Sequence, residues 1–273
     1  MGIFEKRETN GVTWLSCRPL EDLEGIVQGF STRLGGVSEG YLSSMNLSFS
    51  RGDKEENVRE NFKRIGNAMG FAPENLVFSQ QTHTTNVRVV KACDRGKGFT
   101  EPLDYTDVDG LVTNLPGLVL ATFYADCVPL YFVDPENKAI GLSHSGWRGT
   151  VQKMGKVTVQ KMTECYGSCP KQMIAVIGPS ICQDCYEVSK DVIKEFQKHY
   201  KEEYWDELFY RKDDGKYQLN LWRANELVMQ EAGILPENIY TTDVCTCCNP
   251  ELLYSHRASM GKRGNLAAFL GIV

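Results

Sequence analysis

The sequence predicts a mixed α/β or α+β fold, formed as one domain over residues 1–273. Three observations carry that expectation. Apolar strand candidates occur both next to one another and between amphipathic helices. An Asp134-Pro135-Glu136-Asn137 turn joins two of them as a hairpin. No linker rich in Pro, Gly or Ser, no internal repeat and no low-complexity stretch divides the 273 residues. Hairpins together with strand–helix alternation argue for mixed sheets rather than a purely parallel one.

The helices come first. Over Asp53–Met69, the residues Val58, Phe62, Ile65 and Met69 recur on one stripe of a 3.6-residue period. Asp53 with Glu56 has the spacing of a capping box, and Gly70 supplies the stop. A second helix is expected over Thr150–Cys165, with Val151, Met154, Val157 and Met162 inward. A third covers Ser189–Tyr200, with Val192, Ile193 and Phe196 inward, and a fourth runs from an Asn220 cap to Ala232 and ends at Gly233. Strands are expected at Leu76–Gln80, Val87–Val90, Leu118–Ala125, Leu130–Val133, Ala139–Ser143, Met173–Ile177, Ile239–Val244 and Leu266–Leu270.

Composition narrows the function. Hydrophobic residues at 42% and charged residues at 24% fit a globular chain and exclude a disordered tail, a collagen-like chain or a coiled coil. The longest apolar run, Gly117 to Ala125, is far short of the ~20 residues that span a bilayer, so no membrane association is expected. Net charge is −5 and no Lys/Arg run reaches five residues, which disfavours nucleic acid, although a small anion needs only local charge. No protein partner is evident. The opening residues are charged, with no apolar core, so no secretory leader is expected and the location is read as cytoplasmic. There the ten cysteines stay reduced, as buried residues, metal ligands or nucleophiles.

Three reactive side chains stand at the ends of expected strands. They are His83 in Ser79-Gln80-Gln81-Thr82-His83, Cys127 in Ala125-Asp126-Cys127-Val128-Pro129, and His144 in His144-Ser145-Gly146-Trp147-Arg148-Gly149. Strand ends and the loops after them are where sheets present ligand-binding groups. Two imidazoles and a thiolate make a plausible metal set with a fourth position open, as in catalytic zinc. The alternative is a buried, apolar Cys127 flanked by two ordinary polar histidines. Gly146 to Gly149 precedes a helix start and, with Arg148, suits a phosphate; a tight turn with an exposed arginine is the plainer alternative. Cys182 and Cys185, with Cys245, Cys247 and Cys248, make a four-thiolate zinc site conceivable, although they do not read as the usual paired C-x-x-C pattern. His199 sits on a charged helix and is expected in solvent; His256, beside Arg257, is placed to line a pocket. The chain lacks a G-x-S-x-G elbow, a P-loop and the H-x-E with P-C-x-x-C of zinc nucleobase deaminases. Four histidines are too few for a multi-histidine copper cluster, but a single His-Cys-His copper site stays chemically allowed.

Taken in order, the motifs resemble those of the YfiH family, also called the laccase-domain or polyphenol oxidase family. The resemblance runs from Gly29-Phe30-Ser31-Thr32-Arg33, Gly35-Gly36-Val37-Ser38 and Met45-Asn46-Leu47 through the three motifs above. It continues through Gly178-Pro179-Ser180-Ile181, Cys185-Tyr186-Glu187-Val188, Cys245-Thr246 and Tyr254-Ser255-His256-Arg257 to Asn265-Leu266-Ala267-Ala268. It implies a layered αββα-type fold. It also implies a purine nucleoside phosphorylase that splits adenosine, inosine, guanosine or methylthioadenosine with inorganic phosphate as co-substrate, and possible adenosine deaminase activity. The zinc ligands of the resemblance fall on His83, Cys127 and His144, which are then also the catalytic residues. Arg148 and Arg33 are expected to hold phosphate, and Asn46 and Asp126 to bond ribose or base. Copper polyphenol oxidation, editing of a peptidoglycan precursor by hydrolysis, and non-catalytic metal binding are the competing readings. The chain departs from the pattern at Met45, where Leu is common, at Ala258, where a second Arg is frequent, and in its extra Cys182, Cys247 and Cys248.

Overall fold

A strand buried on one face alternates apolar and polar residues, whereas one buried on both faces is apolar throughout. The central strands of this chain are of the second kind. The computed structural model describes residues 2–273. In chain order they form β1 (Phe4–Thr9), β2 (Val12–Cys17), α1 (Arg18–Glu21), β3 (Ile26–Ser31), α2 (Glu55–Met69), β4 (Leu76–Phe78), β5 (Val87–Val89), β6 (Gly110–Thr113), β7 (Leu118–Tyr124), β8 (Val128–Asp134) and β9 (Ala139–Ser145). Then come α3 (Trp147–Val151), α4 (Met154–Tyr166), β10 (Ile174–Ile177), β11 (Glu187–Val188), α5 (Lys190–His199), α6 (Trp205–Leu208), β12 (Phe209–Arg211), β13 (Tyr217–Leu219), α7 (Leu221–Glu231), β14 (Ile239–Thr241) and β15 (Leu266–Ile272).

Two six-stranded sheets result, in the orders β1-β2-β3-β15-β7-β4 and β14-β10-β8-β9-β6-β5, with a small β11-β13-β12 sheet beside them. Parallel pairing occurs only at sheet edges, between β4 and β7, β10 and β14, and β5 and β6. The period of two along each strand then feeds separate cores. In the first sheet, Leu118, Leu120, Leu266, Ala268 and Leu270 face inward, against Tyr131, Val133, Ile140, Leu142 and Val176 of the second. The intervening residues Val119, Ala121, Ala267 and Phe269 face outward, under Val58, Phe62, Ile65 and Met69 of α2. On the far side, Leu130, Phe132, Ala175 and Ile177 lie under Val159 and Met162 of α4, Ile193 and Phe196 of α5, and Leu227 and Val228 of α7. The order is helix, sheet, sheet, helices, the αββα layering that the motifs implied.

Most expected elements form within two residues of their expected ends, and the β8–β9 hairpin closes as foreseen. The Asp134 carboxylate accepts the Glu136 and Asn137 N–H groups at 3.1 and 3.2 Å, which sets the turn. Asn220 caps α7 by accepting the Arg223 N–H at 3.0 Å. Three details differ. The Asp53–Glu56 capping box does not form, because Asp53 turns to accept bonds from Ser38 and Asn46, at 2.6 and 2.9 Å. The helix expected over Thr150–Cys165 is two helices, α3 and α4, divided at Lys153, whose φ is 64°. The Lys153 ammonium lies 3.2 Å from Glu231 and 3.7 Å from the centre of the Tyr200 ring, contacts that hold the break. The strands β1 to β3, β6 and β11 to β13 lie outside the expected set; β1 is an edge strand with charged side chains in solvent, so its pattern carries little apolar signal. Among the described residues no helix is long and apolar enough to cross a membrane.

Phe62 anchors α2, with ring centres 5.0 Å from Phe78, 5.5 Å from Phe99 and 6.4 Å from Phe123. Phe62→Ala is expected to lower the unfolding free energy by about 3–5 kcal/mol, read as a lower urea midpoint with an unchanged slope.

Candidate active site

The site is assembled where three strand ends meet a buried carboxylate. After β4 the chain is pinned to β7 by a side chain acting as backbone. Gln81 accepts the Phe123 N–H at 2.7 Å and donates to the Phe123 carbonyl at 2.7 Å. The next three residues wrap around Asp109, directly before β6. The Asp109 carboxylate accepts the N–H groups of Thr82 at 2.9 Å, His83 at 3.1 Å and Thr84 at 3.0 Å. That wrap holds His83 at a φ of 67°. Asp109 is fully buried and also lies 2.8 Å from Nδ1 of His144, at the end of β9. The Asp109 carbonyl accepts the His144 N–H at 2.7 Å. With Nδ1 taken by Asp109, Nε2 of His144 is left for the cluster.

Cys127 completes the cluster from the turn between β7 and β8. The ligand atoms of His83, Cys127 and His144 all lie within 4.8 Å of one another. The two imidazole rings stand edge to face with centres 5.0 Å apart, and the Cys127 Sγ is 4.0 Å from Nε2 of His83. Gly146 leaves the room for this. A Cβ there would come within 3.0 Å of His83 Cδ2 and 3.1 Å of the Cys127 sulfur.

Electrostatics favour a charged pair. Burial pushes the Cys127 thiol up, but His144 and then His83 more than reverse this and bring it to about 6. Burial pulls His144 down, and the Cys127 sulfur and Asp109 lift it to about 9. Burial likewise raises Asp109, and the His144 contact with the Thr82 and Thr84 amides holds it below the ordinary carboxylate value. A ready thiolate and two imidazole nitrogens suit zinc or copper, with one tetrahedral position left open.

The cluster lies on the wall of a cavity of about 880 Å³. Phe49, Phe78, Phe99 and Phe123 supply its apolar surface, and Arg51, Arg59 and Arg263 its positive charge. Arg59 is engaged, with Glu55 at 2.8 Å and the Phe99 carbonyl at 2.8 Å. Arg51 has no side-chain hydrogen bond or ion pair among the described residues. The Nε of Arg263 is buried with no hydrogen-bond partner. Burial, followed by the neighbouring Arg51 charge, lowers Arg263 to about 10.

The structure brings His83, Cys127 and His144 together, while Arg33, Asn46, Asp126 and Arg148 do not line this cavity. Arg33 donates to the carbonyls of Ser43 and Pro250 and lies over the Tyr254 ring. Arg148 stacks on Trp147 with its guanidinium 4.4 Å from the ring centre. Asn46 is buried, accepts the Asn265 N–H at 3.0 Å and donates to Asp53 and to the Ser48 carbonyl, bracing two stretches of the cavity wall. Asp126, at a φ of 91°, turns its carboxylate inward to accept from Thr246 Oγ1 and the Arg257 N–H, both at 2.7 Å. His199 is exposed and donates from Nδ1 to the Glu195 carbonyl at 2.8 Å; His256 is exposed. Sequence reading passed over Asp109, Gln81, Arg51 and Arg263. Asp109 did leave a trace, an acidic residue placed directly before the apolar β6 in Asp107-Val108-Asp109-Gly110.

Known proteins resemble this chain over most of its length. The purine nucleoside phosphorylase YlmD of Bacillus subtilis is 36% identical over 248 residues, 90% of this chain and 88% of that protein. The crystal structure of Bacillus licheniformis YfiH superposes with a TM-score of 0.91 at 32% identity, covering 98% of this chain and 99% of that one. YlmD from Geobacillus stearothermophilus superposes with a TM-score of 0.90 at 34% identity, covering 100% and 99%. The family described as multi-copper polyphenol oxidoreductase laccase matches residues 27–273. The chain therefore belongs to the multi-copper polyphenol oxidoreductase laccase family, the one to which its YfiH-like motifs pointed.

Proposed function

We propose that this protein is a zinc-dependent purine nucleoside phosphorylase acting on adenosine, inosine, guanosine and methylthioadenosine. The observation that carries this reading is the His83–Cys127–His144 cluster opening onto a cavity of about 880 Å³ that holds both aromatic faces and arginines without ion pairs. The curated relative named a purine nucleoside phosphorylase supports it. Pockets of ~300–1,000 Å³ suit small organic ligands, and the phenylalanine rings offer flat apolar surface to a purine. Zinc on the three ligands would supply Lewis acidity at the cavity wall.

The remaining work falls to the chain. Arg51 and Arg263 repel one another, and neither side chain forms an ion pair among the described residues. An anion between them removes that repulsion and satisfies the buried Nε of Arg263. Phosphate held there meets C1′ as the C1′–N9 bond breaks; a phosphate oxygen bonds C1′ and the purine leaves with a proton, giving the free base and ribose 1-phosphate. Arg33 and Arg148 lie outside the cavity lining and take no phosphate in this reading. Deamination of adenosine, with water adding at C6 and ammonia leaving, is the second activity assigned to the same wall. The cavity draws on residues from Leu47 to Asn265, so the chain is proposed to act as one unit. A cytoplasmic setting fits its free cysteines. No nucleic acid, membrane or protein partner is needed.

The three ligands also suit copper, and the family description names a polyphenol oxidoreductase. Metal analysis and phenol oxidation at stoichiometric copper separate that reading. Accumulation of a serine-bearing peptidoglycan precursor in a deletion strain would point instead to the editing hydrolase.

Purified protein supplied with adenosine and phosphate is expected to release adenine or hypoxanthine, followed by chromatography, and Cys127→Ala is expected to abolish release. Undiminished turnover in that variant removes the site. Asp109→Asn keeps the size but loses the charge facing His144, so zinc affinity and turnover should each fall about 10–100-fold, measured by competition with a chelator and by base release. Arg263→Met should raise KM for phosphate about 10–100-fold, the equivalent of one or two charge-assisted hydrogen bonds, with KM for adenosine little changed. An equal rise in both constants would count against a phosphate role for Arg263.

A further inference from the structure

A second cluster of metal-ligating side chains lies apart from the cavity. Cys182, Cys185, Cys245 and Cys248 place all four sulfurs within 4.8 Å of one another. None of them lines the cavity. The intervening Cys247 disguised the pattern in the sequence. Once it is set aside, Cys182-Gln183-Asp184-Cys185 and Cys245-Thr246-Cys247-Cys248 are two C-x-x-C pairs, the spacing of closed zinc sites.

We propose that these four cysteines form a second, structural zinc site that ties the loop after β10 to the loop after β14. The geometry suits a tetrahedral ion. Zinc–sulfur bonds of ~2.3 Å place tetrahedral sulfurs ~3.8 Å apart. The Cys182 and Cys248 sulfurs are 3.9 Å apart, and those of Cys185 and Cys248 are 3.4 Å apart. A disulfide would need ~2.05 Å, and all four cysteines are free. Two backbone N–H groups, of Cys182 and Cys248, point at the Cys245 sulfur from 3.2 and 3.4 Å, donors that suit a metal-bound thiolate. Four protein ligands leave no open position, so the site holds structure and does no chemistry.

Its neighbours show what it holds. Ile181, directly before Cys182, donates its N–H to the Asp126 carbonyl at 3.0 Å. Thr246, directly after Cys245, donates its hydroxyl to the Asp126 carboxylate at 2.7 Å and its N–H to the Ser180 carbonyl at 3.1 Å. Arg257 ties in from a third loop, donating to the Cys185 and Glu187 carbonyls. Both stapled loops therefore grip Asp126, the residue directly before Cys127.

The test reads metal rather than turnover, so it stands apart from the phosphorylase reading. Protein purified under reducing conditions and loaded with zinc alone should bind two equivalents by native mass spectrometry. Cys185→Ser with Cys248→Ser should bind one, and Cys127→Ala should also bind one. As a check that does not depend on the folding of the double variant, Cys127→Ala loaded with cobalt(II) should show the intense charge-transfer absorption of a tetrathiolate ion. One equivalent in the native chain that survives the double substitution would overturn the proposal. So would the absence of that absorption, or an unreduced mass lighter by the hydrogens lost to a disulfide in this cluster.

Discussion

The site depends on one buried carboxylate. Asp109 receives three consecutive N–H groups from the Thr82–Thr84 loop and faces Nδ1 of His144. A buried charge is costly unless it is fully hydrogen-bonded, and here each bond that compensates it also fixes a functional group. The loop bonds set the backbone of one histidine, and the imidazole contact sets the tautomer and aim of the other. Two histidines distant in sequence are thus oriented by a single side chain that does not itself line the cavity.

The layers explain why the members of the cluster can come from such distant stretches. β7 belongs to the first sheet, and β8 and β9 to the second. Cys127 sits in the turn by which the chain crosses between them, and His144 at the end of the strand that returns. The cluster therefore bridges the seam between the sheets, and its geometry inherits the rigidity of both.

Much of this could be read from the residues. The stripe Val58, Phe62, Ile65 and Met69 located α2, the Asp134–Asn137 turn located the hairpin, and strand-end logic found all three members of the His-Cys-His cluster. What escaped was tertiary. β1 is an exposed edge, and its charged FEKRET sequence alternates too weakly to be recognised. Asp53 has the spacing of a cap, yet bonds to Ser38 and Asn46 from a distant loop took it first. Glycine-flanked Arg148 had the local context of an anion site, whereas Arg51 and Arg263 have none; only the fold gives them a common cavity. Side chains that act through long-range partners leave little trace in spacing.

The placement of β15 bears on how the molecule is made. This strand, residues 266–272, lies in the middle of the first sheet, paired with β3 on one side and β7 on the other. A ribosome has emitted residues 2–265 before the strand that joins those two halves becomes available. Until then β1 to β3 form a separate meander with an open edge, and β7 lacks one of its neighbours. Closure of that sheet waits for β15 and links residues more than two hundred positions apart, the kind of contact that slows folding and leaves an unpaired border exposed to association in the nascent chain.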